Sequence, residues 1–214
     1  MKIHPGLNFL YICYAHPMCA YAPFGWIINV TVVLIFMAQY FTEESSISHF
    51  LYSSKKSALL WLVVRVYLGY EWFMAGWDKI YNPAWVGDSS GAAITGFVNN
   101  ALTKTAGAHP DVQGWYASFL QNAVLTHPAL WSNLIAFGEV LIGVAIIAGI
   151  FVGIATFFGA FMNLNFMLAG TVSINPIMFV LSVFLILAWR VAGYWGLDRF
   201  VLPIFFRSVH PRNF

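Results

Sequence analysis

Four apolar runs, each about 20 residues long, constrain this chain more than any other feature, because only a lipid interior suits both their side chains and a self-satisfied helical backbone. They cover residues 58–80, 130–149, 152–171 and 176–195. A weaker fifth run, 22–41, contains Asn29, Thr31 and Gln39 and is expected either to span or to lie at the interface. With only 8% of residues charged, against about 25% in a soluble domain, the chain could not clothe itself in charge on all sides. The expected fold is therefore an all-α integral membrane protein. It is a four-helix transmembrane bundle with an extra N-terminal span, divided into a tail and extra helix over 1–54 and a membrane domain over 55–214.

Cations near the span ends orient the bundle. Lys55 and Lys56 precede the first strong span, and Arg199, Arg207 and Arg212 follow the last. An even number of crossings puts both groups on one side, which the positive-inside rule makes cytoplasmic. The C-terminus is then cytoplasmic and segment 81–129 extracytoplasmic. In that segment Ile94, Phe97, Val98, Ala101 and Leu102 repeat at helical spacing, as do Val112, Trp115, Tyr116, Phe119, Leu120, Ala123 and Val124. Two short amphipathic helices are expected there, as a cap over the bundle or a platform for a partner. Small residues four apart, Ala145, Gly149 and Gly153, then Ala155 and Gly159, suit close helix packing in lipid.

The stretch RVYLGYEWFMAGWDKI, residues 65–80, sets charges inside the first strong span. An ionisable group at mid-bilayer costs about 2.5–3.5 kcal/mol on insertion scales, so such groups face protein or a polar cavity. Counting inward from the span ends places Glu71, Glu139 and Asn163 at one outer level, with Asn165 slightly further out and Arg65 and Arg190 at a deeper one. Glu71 and Asp78, seven apart, share a helix face; Arg65, Trp72 and Lys79 share another. The carboxyls either fix the bundle through hydrogen bonds or handle a proton or polar head group. For Arg65 and Arg190 the alternative to a functional role is snorkelling to the interface.

Absent motifs narrow the chemistry further. All six histidines lie outside the strong spans, so none can clamp a haem there, and no phosphate loop, flavin or dinucleotide fingerprint occurs. Two cysteines cannot hold an iron–sulfur cluster in one chain. Cys13, His16 and Cys19 lack a fourth metal ligand, so no metal site is expected. A net charge of +2 gives no argument for nucleic acid.

Together, RVYLGYEWFMAGWDKI, FGEVLIGVAIIAG, GAFMNLNFMLAGTVSINP and VAGYWGLDRFVLP resemble the DoxX/DoxD membrane family over about residues 59–203, and the long outer segment resembles its DoxD-type branch. Gly76, Lys79, the Gly138-Glu139 pair, the Asn-Pro turn and the GLDR exit carry the likeness. The resemblance implies the DoxD-type subunit of thiosulfate:quinone oxidoreductase, which oxidises thiosulfate to tetrathionate and passes electrons to membrane quinone with a small DoxA-like extracytoplasmic partner. Membrane lipid and further copies of the chain are the other candidate partners. Quinone chemistry needs a proton source, for which Glu71 and Glu139 are the catalytic candidates. The binding candidates are Arg65, Trp72, Trp77, Asn163, Asn165 and Arg190, with Lys79 the outer cation for an anionic sulfur compound. The competing readings are a non-catalytic assembly subunit and a small transporter.

Overall fold

The computed structural model describes residues 45–206. The expected span at 22–41, the Cys13–His16–Cys19 group, Arg207 and Arg212 lie outside the described residues. All regular structure among them is helical: α1 (Ser46–Ser53), α2 (Ala58–Ile80), α3 (Ala92–Leu102), α4 (Gly114–Phe119, extended by a π-turn over Leu120–Val124), α5 (Pro128–Ala148), α6 (Val152–Leu168), α7 (Asn175–Leu187), α8 (Trp189–Ala192) and α9 (Asp198–Phe206).

Helices α2, α5, α6 and α7 run antiparallel in sequence and form two tight pairs, α2 with α5 and α6 with α7, joined by a leaner seam. The first pair is close because it lacks side chains where the backbones meet. A Cβ on Gly143 would stand 2.5 Å from the Phe73 nitrogen, and one on Gly76 would stand 2.6 Å from the Val140 nitrogen. Such contact is how helices associate in lipid, where burial of apolar area gives no drive. The row expected from sequence acts differently: Gly149 lies in a turn, while Gly153 and Gly159 receive the Trp189 and Trp72 side chains.

Helix lengths depart from the four runs. The helix α2 with its preceding turn, and α5, are long and apolar enough to cross a membrane by length and composition. The other two are shorter than the expected 152–171 and 176–195. Helix α6 has 17 residues and ends in a Schellman turn, with left-handed Gly170 and a Thr171 N–H to Phe166 carbonyl bond of 3.1 Å. Helix α7 has 13 residues and breaks at Ala188 before α8. Their free faces are nonetheless apolar. Phe157, Phe158 and Phe161 on α6, and Ile177, Val180 and Leu187 on α7, are exposed, as are Leu130, Leu134, Phe137 and Leu141 on α5. Faces of this kind seek a hydrophobic surround.

The segment between α2 and α5 folds over one end of the bundle, here termed the capped end. Its two amphipathic helices bury Ile94, Val98, Ala101, Tyr116, Leu120 and Val124, with Val112 of the connecting turn, in a second core with Trp131 and Leu168; of the residues their spacing marked, Trp115 and Phe119 face outward instead. Two polar ties fix it. Lys104 Nζ donates to the Gly170 carbonyl at 2.8 Å, placing a cation at the negative end of α6, and Tyr116 Oη donates to the Asn165 carbonyl at 2.9 Å. Burial pushes the Tyr116 phenol up to about 12. The folded state therefore holds this proton more tightly than the unfolded chain, whose phenol titrates near pH 10. Its stabilising contribution is whole below pH ~10 and is lost as pH rises from there through 12. Tyr116→Phe is expected to lower stability by about 0.5–1.5 kcal/mol at neutral pH and to flatten the alkaline decline, which thermal unfolding between pH 8 and pH 11 checks.

Candidate functional site

At the capped end, Gly76 lets α2 lie against α5 so closely that its missing Cβ would stand 2.8 Å from the Glu139 Cβ. The Glu139 side chain thereby points into α2 with 1% exposure and meets Lys79 Nζ at 2.6 Å. Lys79 keeps 20% exposure. It also donates to the Ala75 carbonyl at 3.2 Å and lies 5.2 Å above the Trp85 ring. Trp85 is held in turn, since its carbonyl accepts from Ser132 Oγ at 2.7 Å and Ser90 Oγ at 2.8 Å. The result is a carboxylate sealed from solvent behind one cation that touches it.

From there a polar row runs inward along the seam. Asn163 is fully buried on α6 and donates through Nδ2 to the Asn175 carbonyl at 2.9 Å, while its Oδ1 has no partner. Trp72 Nε1, pressed against Gly159 one turn further along, and Thr156 Oγ1 are likewise buried without partners. Thr156, Gly159 and Asn163 follow one another at helical spacing, so they share a face of α6. One indole donor, one hydroxyl and one amide acceptor therefore line the join between the two helix pairs. An unsatisfied buried polar atom costs about 1–3 kcal/mol, which makes this row a candidate for receiving a polar group.

A second ionic centre closes the opposite, open end. Arg65, 2% exposed, donates to the Ala192 carbonyl at 3.0 Å and the Trp195 carbonyl at 3.2 Å. It thus takes up carbonyls left free where α8 stops. Asp198, also 2% exposed, accepts from the Phe151 N–H at 2.6 Å and the Val152 N–H at 3.0 Å, capping α6 at its positive end. Gly149 and Gly196 meet beside the guanidinium, where a Cβ on Gly149 would be 2.7 Å from the Gly196 Cα. This explains the GLDR exit: its glycine admits the close contact and its aspartate caps a helix 46 residues earlier in the chain.

Several expected neighbours are apart. Glu71 does not share a level with Glu139. Gly76 faces Glu139, whereas Gly69 and Phe73, on either side of Glu71, face Ile147 and Gly143. Glu71 is thus displaced by five residues from Gly76, about 7.5 Å along the axis, and half-buried. Equal counting from the span ends fails because α5 begins at Pro128 and its first turns rise past Ile80 into the cap, where Trp131 Nε1 bonds the Ala123 carbonyl.

Trp77 is 41% exposed where Trp72 is buried, stacked on Phe73 and tilted at 56° against Tyr81. Asn165 is committed to Tyr116 and the Phe161 carbonyl. Arg190 is exposed over the Trp189 ring, whereas Arg65 is buried and does not snorkel. Sequence reasoning missed Thr156 and Asp198. A lone threonine in an apolar run carries no signal, and Asp198 caps a helix remote in sequence.

No curated protein and no solved structure matches the chain. A family does, across residues 60–207, and its description is TQO small subunit DoxD. The span takes in α2, the Lys79–Glu139 pair, the seam and the Arg65–Asp198 centre, so the chain belongs to the DoxD family.

Proposed function

We propose that the chain is a membrane subunit of a quinone-linked oxidoreductase that oxidises thiosulfate to tetrathionate. The observation that carries this reading is the family match across 60–207. In this reaction two thiosulfates join through a new S–S bond and release two electrons, and a quinone takes up both electrons with two protons to become the quinol. Trp72 and Thr156 are the donors suited to a quinone carbonyl, and Asn163 Oδ1 is an acceptor suited to the quinol hydroxyl. Glu139, which accepts the Lys79 ammonium hydrogen bond at 2.6 Å, is the carboxyl to relay a proton, and Lys79 is the cation beside it for an anionic sulfur compound. The apolar faces of α2, α5, α6 and α7 support a multi-pass membrane protein. The cations Lys55, Lys56 and Arg199 at the open end support placing that end, and the C-terminus, on the cytoplasmic side. A small DoxA-like subunit would then meet the cap from outside.

A non-catalytic assembly role is the second reading. It is favoured by the buried charges of Arg65, Asp198 and Glu139, each of which has partners within the chain. The two readings separate in membranes containing the full chain, with and without its partner, assayed for thiosulfate-dependent reduction of a quinone analogue. The catalytic reading expects Glu139→Gln to lower turnover per folded molecule by about 100-fold, the usual weight of a general acid, and Glu71→Gln to leave it within about twofold. Unchanged turnover per molecule in Glu139→Gln, with less folded protein, would establish the assembly role.

A further inference from the structure

The open end carries a feature that neither the seam nor the Lys79–Glu139 pair explains. Lys55 Nζ and the Arg199 guanidinium both lie 5.5 Å from the centroid of one ring, that of Tyr194. Both cations are exposed, and no ion pair joins either to a carboxylate of a described residue. Among the described residues, the carboxyl next to Arg199 in the chain is Asp198, which is buried and spent on the Phe151 and Val152 amides. Two like charges near one ring repel, and an anion bound by both would offset that repulsion. The Arg199 guanidinium also lies 6.0 Å from the Phe200 ring, and Phe200 and Ile204 of α9 are 66% and 74% exposed. Being four residues apart, they share a face of that helix, so an apolar surface adjoins the cationic one. Phosphate chemistry and acyl-chain chemistry are thus offered side by side.

We infer that Lys55, Arg199 and Tyr194 form a binding site for the phosphodiester headgroup of an anionic phospholipid, with its acyl chains along Phe200 and Ile204. The inference rests on the membrane reading above. It fixes the open end at the headgroup level of an anionic leaflet, with α9 lying along the interface.

The test uses the full chain in detergent, titrated with phosphatidylglycerol or phosphatidylcholine, with retained lipid counted by native mass spectrometry. Each cation near an anionic surface contributes a factor of about five, so phosphatidylglycerol is expected to bind about 25-fold more tightly than phosphatidylcholine. The doubly substituted Lys55→Gln/Arg199→Gln protein should lose that preference while holding phosphatidylcholine as before. Both residues are exposed, so the fold should tolerate the change. Equal affinity for the two lipids in the unmodified chain, or an undiminished preference in the double variant, would overturn the site. Displacement of phosphatidylglycerol by millimolar inorganic phosphate would make soluble phosphate the occupant and overturn the lipid assignment. Failure to co-float with vesicles of either lipid would instead refute the membrane reading, so the two failures are distinguishable.

Discussion

Lys79→Met is expected to destabilise the folded protein by about 3–5 kcal/mol, because it strands a carboxylate with 1% exposure among apolar neighbours. Glu139→Leu leaves an ammonium that is 20% exposed and can turn outward, so it should cost less. The double variant Lys79→Met/Glu139→Leu should recover most of the loss, since an apolar pair can replace a buried ion pair at little net cost. Unfolding of all three in the same detergent decides the matter. A double variant as unstable as Lys79→Met would mean that packing around Gly76, and not the uncompensated charge, sets the cost. If the recovery is seen, stability alone does not require the pair, and quinone-reduction turnover of the recovered double variant then measures what the charges contribute to chemistry.

The open-end centre should be equally sensitive, for a different reason. Asp198→Ala removes two charge-assisted hydrogen bonds, at 2.6 and 3.0 Å. At about 1.5–3 kcal/mol for each bond to a charged group, a loss of about 3–6 kcal/mol is expected. Asp198→Asn, which keeps one acceptor, should lose about half of that. Gly149→Ala should be worse than either conformational strain or crowding alone would make it. The position has φ 71°, and the added Cβ would stand 2.7 Å from the Gly196 Cα. Gly138→Ala is the control, as its Cβ would meet only the Met162 side chain, with the sulfur at 3.7 Å. Recovery of monodisperse protein after gel filtration should be near normal for Gly138→Ala and strongly reduced for Gly149→Ala; equal recovery would show that the turn can open without penalty.

Parts of the site are legible in the sequence. Arg65, Trp72 and Lys79 stand seven apart, and all three turn inward, because heptad spacing keeps residues on one face of a straight helix. Periodicity also locates the buried face of α3 and, apart from the exposed Trp115 and Phe119, that of α4. Depth is not legible. Counting residues from the end of each apolar run assumes that the runs end at a common plane, and α5 breaks that assumption by continuing into the cap. The expected common level of Glu71 and Glu139 rests on that count and does not hold; Lys79, expected as an outer cation for an anionic sulfur compound, reaches back to Glu139 instead. The partners of Arg65 are equally hidden, since they are backbone carbonyls freed by a helix break that no proline or charge in the sequence announces.

Composition and period thus determined by themselves that the described residues are helical, that their helices show apolar faces to their surroundings, and that Arg65, Trp72 and Lys79 share a face. Those properties depend on side chains within a few turns of one another. Only the tertiary structure decided which charges meet. That depends on the axial register between helices, set where Gly69, Gly76 and Gly143 let two backbones touch and where Gly149 and Gly196 close the open end. Register is a property of pairs of helices, so neither member's sequence specifies it alone.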